Sequence, residues 1–94
     1  MTGKKAKELI AVFSQAAQDL EVEVRTERLK GAGGIPVASG LALVEDNWVI
    51  FLEKRQPPQD QLLALVEALS RFDLSEVELE PEAAAYLNRF QASA

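Results

Sequence analysis

Trp48-Val49-Ile50-Phe51-Leu52 is an unbroken run of large apolar side chains, and it decides the fold that we expect. Side chains alternate between the two faces of a strand, so a strand that is apolar on both faces is typical of the middle of a covered sheet. We predict that residues 37–52 form a β-hairpin in which Leu41–Val44 pair with Val49–Leu52. The tight turn is predicted at Asp46 and Asn47, which tolerate positive φ.

Helical and then strand periodicity precede this hairpin. Apolar residues recur at helical spacing from Ala6 to Leu20, which predicts an amphipathic helix. Lysines in its first turn oppose the helix dipole, so we expect residues 1–4 to fray. Apolar and charged residues then alternate as far as Glu27, which predicts a half-exposed strand at an edge of the sheet. The glycine-rich residues 31–36 are expected to break any regular element.

Two further helices are predicted after the hairpin. Pro57-Pro58 ends the strand and opens a helix that packs against the first helix, and Pro81 opens the last one. Between them, Val77 and Leu79 alternate with glutamates, as in a short extra strand. The sequence therefore predicts one α+β domain, residues 1–94, in the order α-β-β-β-α-(β)-α. Three helices pack on a mainly antiparallel sheet of three strands, or of four if the extra strand forms.

The composition excludes several kinds of chemistry. The chain has no histidine and no cysteine, which removes histidine-based triads, the common zinc ligand sets, disulfides and thiol nucleophiles. A net charge of −5 disfavours nucleic acid and anionic membrane surfaces as partners. No apolar run approaches the roughly 20 residues that span a bilayer, and no amino-terminal stretch resembles a signal peptide. We therefore expect a cytoplasmic protein that is not an enzyme and carries no cofactor or metal.

The first hypothesis of function is a non-enzymatic protein-interaction or assembly module. A domain of this size gains stability from further buried area, so the partner can be a second copy in a homodimer. Apolar side chains of the hairpin and the last helix are the candidate contacts. They are Trp48, Val49, Phe51, Leu87 and Phe90.

The second hypothesis is a small-ligand or ion-binding domain, because glycines let backbone amides approach an anion. Its candidate residues are Gly31, Gly33, Gly34, Arg25, Arg28, Lys54 and Arg55. The loop leads into a strand and not into a helix, so a plain connection is the simpler interpretation. Glu76, Glu78, Glu80 and Glu82 are the densest carboxylates, but without a calcium-binding loop they are typical of a solvated acidic edge.

From Ala6 to Phe72 the layout resembles the opening of the ImmA/IrrE-type zinc peptidase core. A helix is followed by a strand that reads Leu20-Glu21-Val22-Glu23-Val24, then by a hairpin and a second helix. That family carries HExxH on its metal helix, and the matching stretch here is Leu65-Val66-Glu67-Ala68-Leu69. Leucine stands at both histidine positions and valine at the glutamate position. The resemblance thus implies that the metal and the peptidase activity are lost. The layout equally resembles small uncharacterised bacterial proteins.

Overall fold

Three helices and four strands are present in the computed structural model, which describes residues 1–28, 35–38 and 40–93. In chain order they are α1 (Gly3–Asp19), β1 (Glu23–Glu27), β2 (Ile35–Ala38), β3 (Leu41–Val44), β4 (Asn47–Glu53), α2 (Pro58–Leu69) and α3 (Pro81–Ser93). The helices and the sheet confirm the predicted α+β class.

The strands form one sheet in the order β1-β4-β3-β2. β4 lies between β1 and β3, which confirms that the apolar run Trp48–Leu52 occupies a central strand. β1 lies at an edge, also as predicted. β2 and β4 both pair with β3 in the antiparallel sense, whereas β1 pairs with β4 in the parallel sense. The sheet is therefore mixed, with antiparallel pairings in the majority.

The hairpin between β3 and β4 has a shorter loop than the sequence predicts. Val44 pairs with Asn47, which leaves Glu45 and Asp46 as a two-residue loop with φ values of 50° and 69°. Positive φ at both loop positions is the type I′ geometry, whose twist matches that of the flanking strands. The predicted turn at Asp46 and Asn47 is therefore wrong by one position, and β3 pairs with residues 47–50 instead of residues 49–52.

Two other segments differ from the predictions. Ile35 and Pro36, expected in a break, belong to β2, whose register with β3 is irregular between Pro36 and Ala38. Val77 and Leu79 form no strand. The Val77 backbone N–H instead donates to the Leu74 carbonyl at 3.1 Å in a turn, and Leu79 packs half-buried on the core. The alternation here reflects one inward-facing side, with Val77 and Leu79 half-buried and Glu78 exposed, in a segment without a sheet neighbour.

A capping side chain and two prolines determine where the three helices begin. The Thr2 hydroxyl oxygen accepts a hydrogen bond from the Lys5 backbone N–H at 3.1 Å, and α1 begins at Gly3, within the segment expected to fray. α2 and α3 begin at Pro58 and Pro81, as predicted, because a first-turn N–H has no helical partner to lose. None of the helices in the described part of the chain is long and apolar enough to cross a bilayer.

Buried apolar side chains lie on both faces of β4. On one face, which we call the helix face, buried side chains of α1, α2 and α3 pack with Ile50 and Leu52 in the main core. On the opposite face, which we call the outer face, Ala42, Val49 and Phe51 form a smaller buried cluster. The four residues from Val49 to Leu52 are at most 7% exposed. This burial on both faces confirms the prediction made for the apolar run.

Candidate functional site

The outer edge of β1 carries backbone groups that are directed away from the sheet. Among the described residues, β1 pairs with β4 alone. The Glu27 carbonyl accepts from the Lys54 backbone N–H at 3.0 Å, so the polar backbone groups of Glu27 face β4. Successive residues of a strand direct these groups to opposite sides, so those of Val24 and Thr26 face outward. We call this side of β1 the free edge.

A groove of about 430 Å³ lies beside the free edge, between β1 and the carboxyl-terminal half of α1. Register places Val24 beside Ile50 and Thr26 beside Leu52, so both side chains lie on the helix face of the sheet. Val24 is half-buried and Thr26 is exposed. The remaining lining residues are Ser14, Gln18, Glu21, Val22 and Glu23. The groove thus has an apolar wall at Val22 and Val24 and a polar rim.

The other face of β1 carries charges of alternating sign. Glu23, Arg25 and Glu27 pair in register with Val49, Phe51 and Glu53, and therefore lie on the outer face. The Arg25 guanidinium forms an ion pair with Glu23 and lies over the Phe51 ring, 5.9 Å from its centroid. The hydrogen bond that Arg25 donates to the Glu23 carboxylate raises the pKa of Arg25. β1 consequently presents a negative, positive, negative pattern along the free edge.

The predicted hairpin contacts are divided between the two faces of the sheet. Trp48 lies on the helix face, half-buried, with its ring edge-on to that of Phe72 at a centroid distance of 5.9 Å. Val49 and Phe51 lie on the outer face, 2% and 7% exposed. The structure therefore does not bring these three side chains into one exposed surface.

The predicted contacts on α3 face the main core. Leu87 is buried in the main core, and Phe90 is half-buried against it. Phe90 also lines a shallow groove of about 240 Å³ with Leu63, Tyr86 and Arg89. Leu63 is 47% exposed, so an apolar patch does reach the surface between α2 and α3.

The predicted ligand residues are brought together only in part. The parallel pairing of β1 with β4 places Glu27 beside Glu53, so the strand ends that carry Arg28 and Lys54 are neighbours, as the hypothesis requires. The Arg55 side chain donates to Glu53 at 2.6 Å, and Arg25 is paired with Glu23. Gly31, Gly33 and Gly34 lie outside the described residues. The strand ends therefore carry charges of both signs.

Carboxylates do not gather into a metal site in the described part of the chain, where no group of three or more acidic residues could hold an ion. Glu82 at the start of α3 instead forms an ion pair with Lys5 on α1. Glu8 lies 3.2 Å from the same ammonium group, and the hydrogen bonds that this ammonium donates to Glu82 and Glu8 raise the pKa of Lys5. These charges link the starts of two helices on the surface.

The geometry defines an α+β domain whose most distinctive surface feature is a free strand edge beside a groove. No protein family, curated protein or solved structure matches this chain. The resemblance to the ImmA/IrrE-type core stays a prediction. Leu65 and Leu69, which stand at that family's histidine positions, are fully buried in the main core.

The residues of the free edge were not among the candidate contacts. Alternation predicted an edge strand, but the prediction did not single out Val24 and Thr26, because their outward direction follows from the pairing with β4. A sequence signal was nevertheless present. No proline interrupts residues 20–28, and β-branched residues alternate with charges there.

Proposed function

We propose that the protein is a non-enzymatic interaction or assembly module that receives an extended strand of a protein partner along the free edge of β1. The observation that supports it is the outward direction of the backbone groups of Val24 and Thr26 beside the groove. An added strand satisfies such groups through main-chain hydrogen bonds and places alternate side chains in neighbouring pockets. The groove beside α1 supplies such a pocket on one face.

The two edges of the sheet are not equivalent, and the difference favours β1. β2 is the other edge; it contains Pro36, which has no N–H to donate, and a register irregularity follows it. Proline and bulges are features that protect an edge from further pairing. β1 has neither feature and pairs with β4 without a break from Glu23 to Glu27.

Substitution of Thr26 by proline tests strand docking. The Thr26 N–H faces outward, so Thr26→Pro removes a donor from the free edge without removing a bond to β4. Extended peptides selected by display against the wild-type protein should bind at least about tenfold more weakly to this variant. Binding should also shift the Val24 and Thr26 amide resonances.

Thr26→Val is the matched control, because it keeps both the N–H and the β-branched shape. It should bind the selected peptides as the wild type does. Urea unfolding of both variants should show that the fold persists. Peptides that bind Thr26→Pro as tightly as the wild type, or that shift amides on other elements only, would contradict the proposal.

A small-anion site is the second candidate function, favoured by the adjacent strand ends at Glu27 and Glu53 that bring Arg28 and Lys54 near each other. A thermal-shift screen with phosphates and nucleotides tests it. Ligand present at about 100 times its dissociation constant stabilises the fold by about 2.7 kcal/mol. Arg28→Gln and Lys54→Gln should reduce any shift. The candidate fails if no compound raises the unfolding temperature of the wild type.

A cytoplasmic location, without nucleic-acid or membrane partners, belongs to the same proposal. It is supported by the net charge of −5, which repels phosphate backbones and anionic lipid surfaces. Cell fractionation should recover the protein with the cytosol, and retention on heparin or on anionic vesicles at moderate salt would contradict it.

A further inference from the structure

We infer that the strand received at the free edge is β1 of a second copy of this chain, paired antiparallel about a two-fold axis at Val24. The inference rests on the proposed function, because it names the partner of the same edge. In this register Val24 faces its own counterpart, and Glu23 faces the partner's Arg25 on both sides of the axis. Val22 faces the partner's Thr26 in the same way.

Backbone direction limits the possible registers. Only residues whose polar backbone groups face outward form hydrogen-bonded pairs across the new interface. On β1 these residues are Val24 and Thr26, so the axis lies at Val24, at Arg25 or at Thr26. Val22 contributes only its carbonyl, because its N–H already donates to the Ala17 carbonyl at 2.8 Å.

Charge repulsion excludes the register with its axis at Arg25. With the axis at Arg25, that residue would face its own counterpart, and Glu23 would face the partner's Glu27, so every charged pair would be repulsive. With the axis at Val24, Glu23 faces the partner's Arg25 twice. With the axis at Thr26, Arg25 faces the partner's Glu27 twice. The alternating charges of β1 are thus self-complementary in two registers.

The apolar side chains that meet across the interface distinguish the register with its axis at Val24 from the one with its axis at Thr26. With the axis at Thr26, Val24 would face the charged Arg28 of the partner. With the axis at Val24, the Val24 side chains of the two copies meet on the helix face. Each of them is only half-buried in the isolated chain. Cross-strand pairs of β-branched side chains stabilise a sheet, and this pair extends the apolar wall of the groove. The one like-charged pair in this register is Glu21 with the partner's Glu27, and Glu21 lies in the turn before β1, with φ at 61°, outside the paired strand. Within β1, the axis at Val24 therefore gives attractive charge pairs and an apolar pair together.

Charge exchange on β1 tests the register by sedimentation velocity over a concentration series. Arg25→Glu places two glutamates opposite each other at both symmetric positions and should weaken self-association by at least about tenfold. The double variant Glu23→Arg with Arg25→Glu restores opposite charges and should return to within about threefold of the wild type. Arg71→Glu makes the same change in net charge at an exposed site, and should leave self-association within about threefold of the wild type.

Several outcomes would overturn the inference. A wild-type protein that stays monomeric up to about 1 mM would do so, as would an Arg25→Glu variant that associates like Arg71→Glu. If the double variant Arg25→Glu with Glu27→Arg restores self-association and the double variant Arg25→Glu with Glu23→Arg does not, the axis lies at Thr26 and this register is overturned. Urea unfolding of each variant identifies any loss of the fold itself.

The same variants separate this inference from the proposed function. If the wild type is monomeric but selected peptides bind it and lose affinity for Thr26→Pro, the free edge receives a strand that is not β1, and only the inference fails. If Thr26→Pro dimerises like the wild type, the dimer uses another surface, and the inference also fails. Absence of both dimer and peptide binding contradicts the inference and the proposed function together.

Discussion

Substitution of Gly40 by alanine is expected to destabilise the protein through one backbone contact. Gly40 precedes β3 with φ at 76°, and its carbonyl accepts from the Phe51 N–H at 2.7 Å. A Cβ at this position would lie 2.8 Å from the Phe51 carbonyl oxygen, closer than real Cβ atoms come to such a neighbour. That oxygen belongs to the central strand β4, so it has little freedom to move away.

The size of the effect follows from two contributions. A residue with a Cβ in the left-handed region is less stable there by about 1–2 kcal/mol. Movement of residue 40 away from Phe51 stretches their hydrogen bond, whose net worth is about 1 kcal/mol. We therefore expect Gly40→Ala to lower the free energy of unfolding by about 2–3 kcal/mol, which corresponds to about 10–20 °C in unfolding temperature.

Urea unfolding followed by tryptophan fluorescence measures this change. Trp48 is the single tryptophan and packs against Phe72, so its emission reports the loss of the core. Gly3→Ala is the matched control, because its Cβ would make an ordinary contact at 3.8 Å with Pro58 and alanine favours α1. An unfolding midpoint for Gly40→Ala equal to that of Gly3→Ala would refute the reasoning.

Three further predictions concern the core and titration. Leu65→Ala should lower the free energy of unfolding by about 2–5 kcal/mol because Leu65 is fully buried, whereas Leu63→Ala, at a site 47% exposed, should change it by less than about 1 kcal/mol; equal urea midpoints would contradict this. Burial raises the pKa of Tyr86, the single tyrosine, so ultraviolet titration should show ionisation above the pH at which a free tyrosine ionises; ionisation at or below that pH would be the contrary result. Hydrogen bonds from Ser75 lower the pKa of Asp73, so its contribution to stability is present above about pH 4 and is lost as the pH falls through the lowered folded pKa. Asp73→Asn should therefore flatten the acid limb of the stability profile, and an unchanged limb would contradict the assignment.

The sequence by itself determined the local elements. Helical periodicity and the prolines at positions 58 and 81 predicted the three helices, because capping and the 3.6-residue repeat act within a few residues. The apolar run in β4 predicted a central strand, since a strand with two apolar faces must be covered on both. The alternation that ends at Glu27 likewise predicted the edge position of β1, and all of these were confirmed.

Only the tertiary structure decided how the strands pair and which side chains meet. The loop is two residues shorter than predicted, which changes the hairpin register. β1 pairs directly with β4 in the parallel sense, although β2 and β3 lie between them in the sequence. The pairing with β4 directs the backbone of Val24 outward beside a groove, whereas the opposite faces of Trp48 and Phe51 already follow from alternation along one strand. Strand pairing joins residues far apart in the chain, and its register depends on loop geometry and on packing against other elements. Local patterns predict that a strand exists, but not which neighbour it takes or which edge it leaves free.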